Sequence, residues 1–188
     1  MIGANRSEGL DMARLLRRNA GIAVRAFGGL LVSCGLLAAM PVAVQAREAA
    51  EIRLLEQYFD AMRAKDRAAV EALIAPDAVF QYAYDRSGST EPGSERRFVG
   101  RDAVMRDFVD RAFARLAKID WFEPVYTVSA DRRTVFVEVR GDMVLGTSTP
   151  YRNRYVIRFD LRKGRITGMT EYMNTVTATQ AIEASGAR

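Results

Sequence analysis

The 188-residue chain has no histidine. That excludes an imidazole base, Ser-His and Cys-His nucleophile pairs, and every metal site that needs a histidine ligand. It has one cysteine, Cys34, so no disulfide can close within the chain. No basic cluster is interleaved with aromatic residues, and the net charge is unevenly placed. Residues 1–46 hold five arginines and two acids, which takes +3 of the net +5 and leaves +2 for residues 47–188. The high isoelectric point therefore gives no argument for nucleic acid. Acid–base chemistry, if present, falls to carboxylates supported by Tyr, Lys or Arg. No metal and no cofactor is expected.

The amino terminus reads as a targeting segment. Arg14, Arg17, Arg18 and Arg25 precede an uncharged run from Ala26 to Ala46, which ends Val44-Gln45-Ala46. A basic region, an apolar region and a small-residue cleavage site describe a secretory signal, hence a secreted or periplasmic domain. The alternatives are a retained membrane anchor, since about 20 apolar residues span a bilayer, and a lipoprotein signal at Cys34. Residues 1–46 are thus set apart from a domain over 47–175 and a carboxyl-terminal tail over 176–188.

Along that domain, Ile52, Leu55, Phe59 and Met62 recur at helical spacing over Ala49–Lys65, with Tyr58 on the stripe's edge. Asp66 is placed to cap a short second helix that Pro76 ends. Ala78–Tyr84 reads as a strand, 85–96 as a polar loop and 97–99 as a short strand. Gly100-Arg101-Asp102 opens an amphipathic helix with Val104, Phe108, Val109, Ala112, Phe113 and Leu116 on one side. From Lys118 the period becomes two, giving strands over 120–129, 134–145, 151–161 and 165–174. Three helices before an antiparallel meander form an α+β pattern, with a curved sheet wrapped on the helices.

In the last hairpin, Asn153, Tyr155, Ile157, Phe159 and Leu161 alternate with Arg152, Arg154, Arg158 and Arg162. One face is covered and the other wet. An amide and a phenol on a covered face suit a pocket wall. Glu171 on the return strand joins them only if its parity is right. A three-residue turn with Gly164 in the left-handed position pairs Tyr155 with Glu171, whereas a two-residue Lys163-Gly164 turn would aim Glu171 outward.

The element order and several motifs resemble the nuclear-transport-factor-2-like superfamily, with its SnoaL-like cyclases, ketosteroid isomerase and limonene-1,2-epoxide hydrolase. The resemblance covers residues 52 to 174 and implies a conical pocket for a small apolar molecule, in a homodimer. Tyr58-Phe59-Asp60 resembles the isomerase helix whose tyrosine serves an oxyanion hole. The isomerase's catalytic aspartates, however, fall on Tyr82 and near Tyr155, which leaves that reading without its base. Gly100-Arg101-Asp102, Arg140-Gly141-Asp142 and Gly164-Arg165-Ile166-Thr167 through Glu171-Tyr172 resemble the epoxide hydrolase. That resemblance implies Glu171 as base, Asp142 as acid and Arg140 as their bridge. Tyr58, Tyr82, Tyr84, Asn153, Tyr155 and Met169 would line the substrate site, with Tyr82 and Tyr84 standing where the hydrolase has a Tyr-x-Asn pair. Two carboxyls in a dry pocket can share one proton, as opening an epoxide with water requires. The alternatives are an Arg140–Asp142 surface ion pair and tyrosines that only fill a core. The protein would then be a non-catalytic binding or interaction module.

Overall fold

The computed structural model describes residues 41–84, 89 and 91–186, with backbone only for 41–49. The targeting segment and Cys34 thus lie almost wholly outside the described residues; its last residues, 41–46, open the first helix. Among the described residues no helix is long and apolar enough to cross a membrane.

Helix α1 (Pro41–Ala64) buries Leu55, Phe59 and Met62 as the spacing predicts, and Tyr58 with them. Asp66 caps α2 (Arg67–Leu73) by accepting from Ala69 N at 3.0 Å. The chain then passes directly into β1 (Ile74–Tyr82), four residues earlier than expected. Pro76 therefore lies inside this strand, where its pairing slips between Ile74 and Val79. A proline cannot donate to the ladder, so an irregular stretch is where a strand tolerates it.

After β2 (Arg96–Val99), the amphipathic helix is built in three pieces: α3 (Arg101–Ala103), a π-helical segment Val104–Val109, and α4 (Asp110–Arg115). The wider π winding turns Val104, Met105, Phe108 and Val109 all inward, where α spacing alone omits Met105. Short β3 (Leu116–Lys118) leads to β4 (Trp121–Val128), β5 (Thr134–Leu145), β6 (Thr149–Arg162) and β7 (Arg165–Met173). The sheet order is β2-β1-β7-β6-β5-β3, with β4 also on β5. Among the described residues only β1 and β7 pair in parallel, so this is a mixed rather than a purely antiparallel sheet.

The last hairpin departs from the expected turn. Arg162 pairs with Arg165 across a two-residue turn, with Lys163 at φ 52° and Gly164 at φ 69°. Two left-handed residues make the turn whose twist matches the strands. Alone, it would aim Glu171 outward. However, Leu161 pairs with Ile166 while Asp160 pairs with Gly168, so Thr167 is an extra residue absorbed as a bulge. The bulge restores the parity, and Glu171 stands opposite Ile157 on the covered face rather than opposite Tyr155.

The expected tail is a helix, α5 (Thr175–Ala184). Asn174 caps it by accepting from Val176 N and Thr177 N. Buried Asn153 fixes that cap to the sheet: its Nδ2 donates to Asn174 O at 3.0 Å, and its Oδ1 accepts from Asn174 N at 3.3 Å. The sequence signal for α5, an Asn ahead of Thr-Val-Thr, is an ordinary helix start.

Candidate functional site

The covered face of the sheet, α4 and α5 enclose a cavity of about 350 Å³. Its apolar wall includes Met62, Phe108, Trp121, Met143, Leu145 and Ile182. Its polar groups are Glu171 and the phenols of Tyr82, Tyr151 and Tyr155, with Tyr84 at one edge. Arg96, Asp107, Arg111, Arg115 and Thr175 also line it.

Glu171 is the unusual group. Tyr82 is its neighbour across the β1–β7 pair. No hydrogen bond or ion pair reaches its carboxyl among the described residues, and burial alone pushes its pKa up to about 7. Removing a carboxylate from water without a compensating partner favours the neutral acid. The Glu171 charge also raises the pKa of Tyr58, Tyr82, Tyr151 and Tyr155, in each case behind the larger effect of burial. The four phenols therefore remain protonated donors at any physiological pH.

Their hydroxyls are lightly engaged. Tyr151 donates to the Met173 thioether at 3.5 Å and accepts from Asn153 Nδ2 at 3.0 Å. Tyr155 donates to the Met143 sulfur at 4.0 Å, and burial is the largest cause of the raised pKa of both Tyr151 and Tyr155. Thioethers are weak acceptors, so a ligand oxygen can compete for these donors.

The epoxide-hydrolase triad is not assembled. In β5 Val135, Val137, Val139 and Met143 are buried, while Arg140 and Asp142 alternate onto the opposite face. Arg140 pairs with Glu123 at 3.0 Å and lies over the Phe122 ring. Asp142 pairs with Lys118 at 2.6 Å and Arg152 at 3.0 Å, and the Lys118 hydrogen bond, followed by that of Arg152, holds its pKa below the usual carboxylate value. Neither can meet Glu171 through the sheet.

Three expected pocket residues sit behind the lining. Tyr58 is buried among Phe59, Phe80 and Phe159, with its hydroxyl 3.9 Å from the Met169 sulfur, and both are core residues. Asn153 has its amide committed to the α5 cap. Tyr82, Tyr84, Tyr155 and Glu171 do line the cavity. Tyr151 and Met143 line it too and lie outside the sequence-based expectation, although each shares the parity of its strand's covered residues.

A family model described as a SnoaL-like domain matches residues 55–169. The chain belongs to that family. This SnoaL-like chain is 28% identical over 132 residues to the Bacillus subtilis protein YesE, covering 70% of this chain and 86% of the relative. A Bacillus subtilis protein proposed to be an isomerase superposes with a TM-score of 0.63 at 26% identity, over 74% of this chain and 96% of that one. An epoxide hydrolase of the limonene-epoxide-hydrolase-like type from M. tuberculosis superposes at 0.54 with 19% identity, over 73% and 92%. At that identity the likeness shows the nuclear-transport-factor-2-like fold and no more.

Proposed function

We propose that this SnoaL-like domain binds a small, largely apolar carbonyl compound and moves a proton on it, with Glu171 as the base. The observation that carries this reading is an unpartnered carboxyl, poised near neutrality, beside tyrosine donors in an apolar cavity. The carboxylate takes a proton from the carbon next to the carbonyl. The electron pair moves onto the carbonyl oxygen, which accepts hydrogen bonds from Tyr82 or Tyr155. The Glu171 acid so formed returns the proton to carbon, giving exchange or isomerisation with no change in oxidation state. A base with a pKa near the working pH is suited to both steps. In the isomerase pattern the base falls on Tyr82; here the carboxylate stands on the neighbouring strand.

Epoxide hydrolysis draws less support, because Asp142 and Arg140 cannot supply the acid and the bridge. A binding module without chemistry is the second reading, favoured by the apolar lining. Deuterium exchange separates them. A panel of cyclic ketones in D₂O, followed by NMR, should show exchange that rises with pH through about 7 in the wild type. It should fall roughly 10²–10⁴-fold in Glu171→Gln. Binding of the panel without exchange in either protein leaves the binding module.

The homodimer is proposed on the sheet's outer face. Val125, Val156 and Tyr172 are exposed there in one row across β4, β6 and β7, interrupted by Glu138, and Tyr84 meets Tyr172 edge-to-face with ring centroids 6.1 Å apart. Exposed apolar stripes of this kind mark contact surfaces. Sedimentation should give a dimer that Val156→Asp converts to monomer; a monomeric wild type overturns it. Export rests on the sequence of the amino terminus, and fractionation of cells producing the full chain tests it.

A further inference from the structure

Besides Glu171 and the phenols, the cavity lining holds four charged groups, and three of them are arginines. Their one acid, Asp107, is already engaged, with Arg106 at 2.7 Å and Arg111 at 3.4 Å. Arg96 and Arg115 make no ion pair among the described residues, although the Arg96 charge acts at longer range on Asp107. They come from separate elements, β2 and the last turn of α4, and converge on one cavity. Arg96 stands opposite Tyr82 in the β1–β2 ladder, and its guanidinium lies 5.3 Å from the Phe98 ring centroid, which restrains it. Both arginines also act electrostatically on the Tyr82 hydroxyl, against the Glu171 charge.

We infer that the ligand is an apolar molecule with an anionic end, a carboxylate in the simplest case, which Arg96 and Arg115 hold while the uncharged body reaches Tyr82 and Glu171. Planar guanidinium donors suit a carboxylate, and two of them supply charge-assisted hydrogen bonds that a neutral group cannot use equally. The opposite arrangement, with the anion at Glu171, would set two like charges together in an apolar site. This inference rests on the reading of the cavity as the ligand site and is independent of whether Glu171 moves a proton.

The test compares 4-butylcyclohexanecarboxylate with its carboxamide, which share the apolar body and differ in the charge. Calorimetry and the fluorescence of Trp121, the chain's one tryptophan and a cavity residue, report binding. The wild type should bind the carboxylate roughly ten- to a hundredfold more tightly than the amide at low salt. The double substitution Arg96→Gln, Arg115→Gln should remove that preference and leave amide affinity within about twofold. Both arginines are exposed, so the variant should fold, and its thermal melt checks this. Equal wild-type affinities, a preference that survives in the double variant, or no binding of either molecule overturns the inference. An intact anion preference without deuterium exchange sinks only the proton-transfer reading. Exchange without the preference sinks only this one.

Discussion

The two faces of one sheet treat a carboxylate in opposite ways. On the outer face, Asp142 sits between Lys118 and Arg152, Glu123 meets Arg140, and Asp160 meets Arg158. Charges there are paired, hydrated and individually of small consequence. On the covered face, Glu171 meets phenols, thioethers and aliphatic groups, and nothing opposes its desolvation. The difference is one of parity rather than composition. A step of one residue along a strand exchanges a solvated ion pair for a perturbed acid.

The largest expected effect follows from that step. Glu171→Gln should remove most of the exchange activity and the pH midpoint near 7. Asp142→Asn, which also deletes a carboxylate, should leave both unchanged. If Asp142→Asn were as damaging as Glu171→Gln, the two faces would not be functionally distinct, and the comparison would fail.

The parity of β5 is legible in the residues themselves. Val135, Val137, Val139 and Met143 alternate with Phe136, Glu138, Arg140 and Asp142, and valines at period two mark the covered side. The likeness of Arg140-Gly141-Asp142 to a catalytic motif points the other way, and the alternation prevails. The parity of Glu171 is not legible, because it depends on a bulge. The Lys163-Gly164 turn is readable from its residues, and Gly168 inside a strand pattern signals a bulge, but it does not say which residue is absorbed or that Glu171 changes face. That outcome depends on β7 pairing with β6 and β1 together. Asn153 is a third case: its polarity on a covered face is visible, but its partner, the α5 cap at Asn174, requires the helix to be recognised. The element order is readable because hydrophobic periodicity sets it locally, whereas the cavity forms only when distant elements close on it.

Stability against pH sharpens the comparison at a second level of magnitude. The Glu171 pKa is raised from 4.5 to about 7, so the folded state prefers the protonated acid. Its contribution is fully present below the unfolded value and is lost as pH rises through about 7. A shift of this size corresponds to at most about 3 kcal/mol, less as the cavity admits water. Urea unfolding at pH 5 and pH 8 should show wild type losing stability relative to Glu171→Gln across that interval. The outer carboxylates behave with the opposite sign. Asp142 and Asp77 are held low by hydrogen bonds from Lys118 and Arg162 respectively, so their contributions are lost only as pH falls through the acid range. A Glu171→Gln difference that is the same at both pH values would mean that Glu171 is solvated like its outer counterparts.

The smallest effect compares two glycines. On the covered face, a Cβ at Gly141 would lie 2.7 Å from Tyr155 Cε2 and 3.3 Å from Met143 Cε. On the other, a Cβ at Gly168 would lie 2.8 Å from Asp160 Oδ2. The close approaches are similar, but the neighbours differ in freedom. The Tyr155 ring is buried and cannot move without disturbing the hydroxyls of the cavity. The Asp160 carboxylate is the end of a partly exposed side chain, held by Thr134 and Arg158, and it can rotate toward water. Gly141→Ala should therefore cost about 1–2 kcal/mol, overpacking being partly offset by the better strand propensity of alanine. In a body of this size that is a fall of roughly 3–6 °C in Tm. Gly168→Ala should cost less than half as much. Only the first should weaken binding of the carboxamide probe, because only it moves a cavity wall. Equal losses of Tm, with probe affinity unchanged in both, would show that Tyr155 yields as easily as a surface carboxylate. The covered face would then be a soft lining instead of a fixed one.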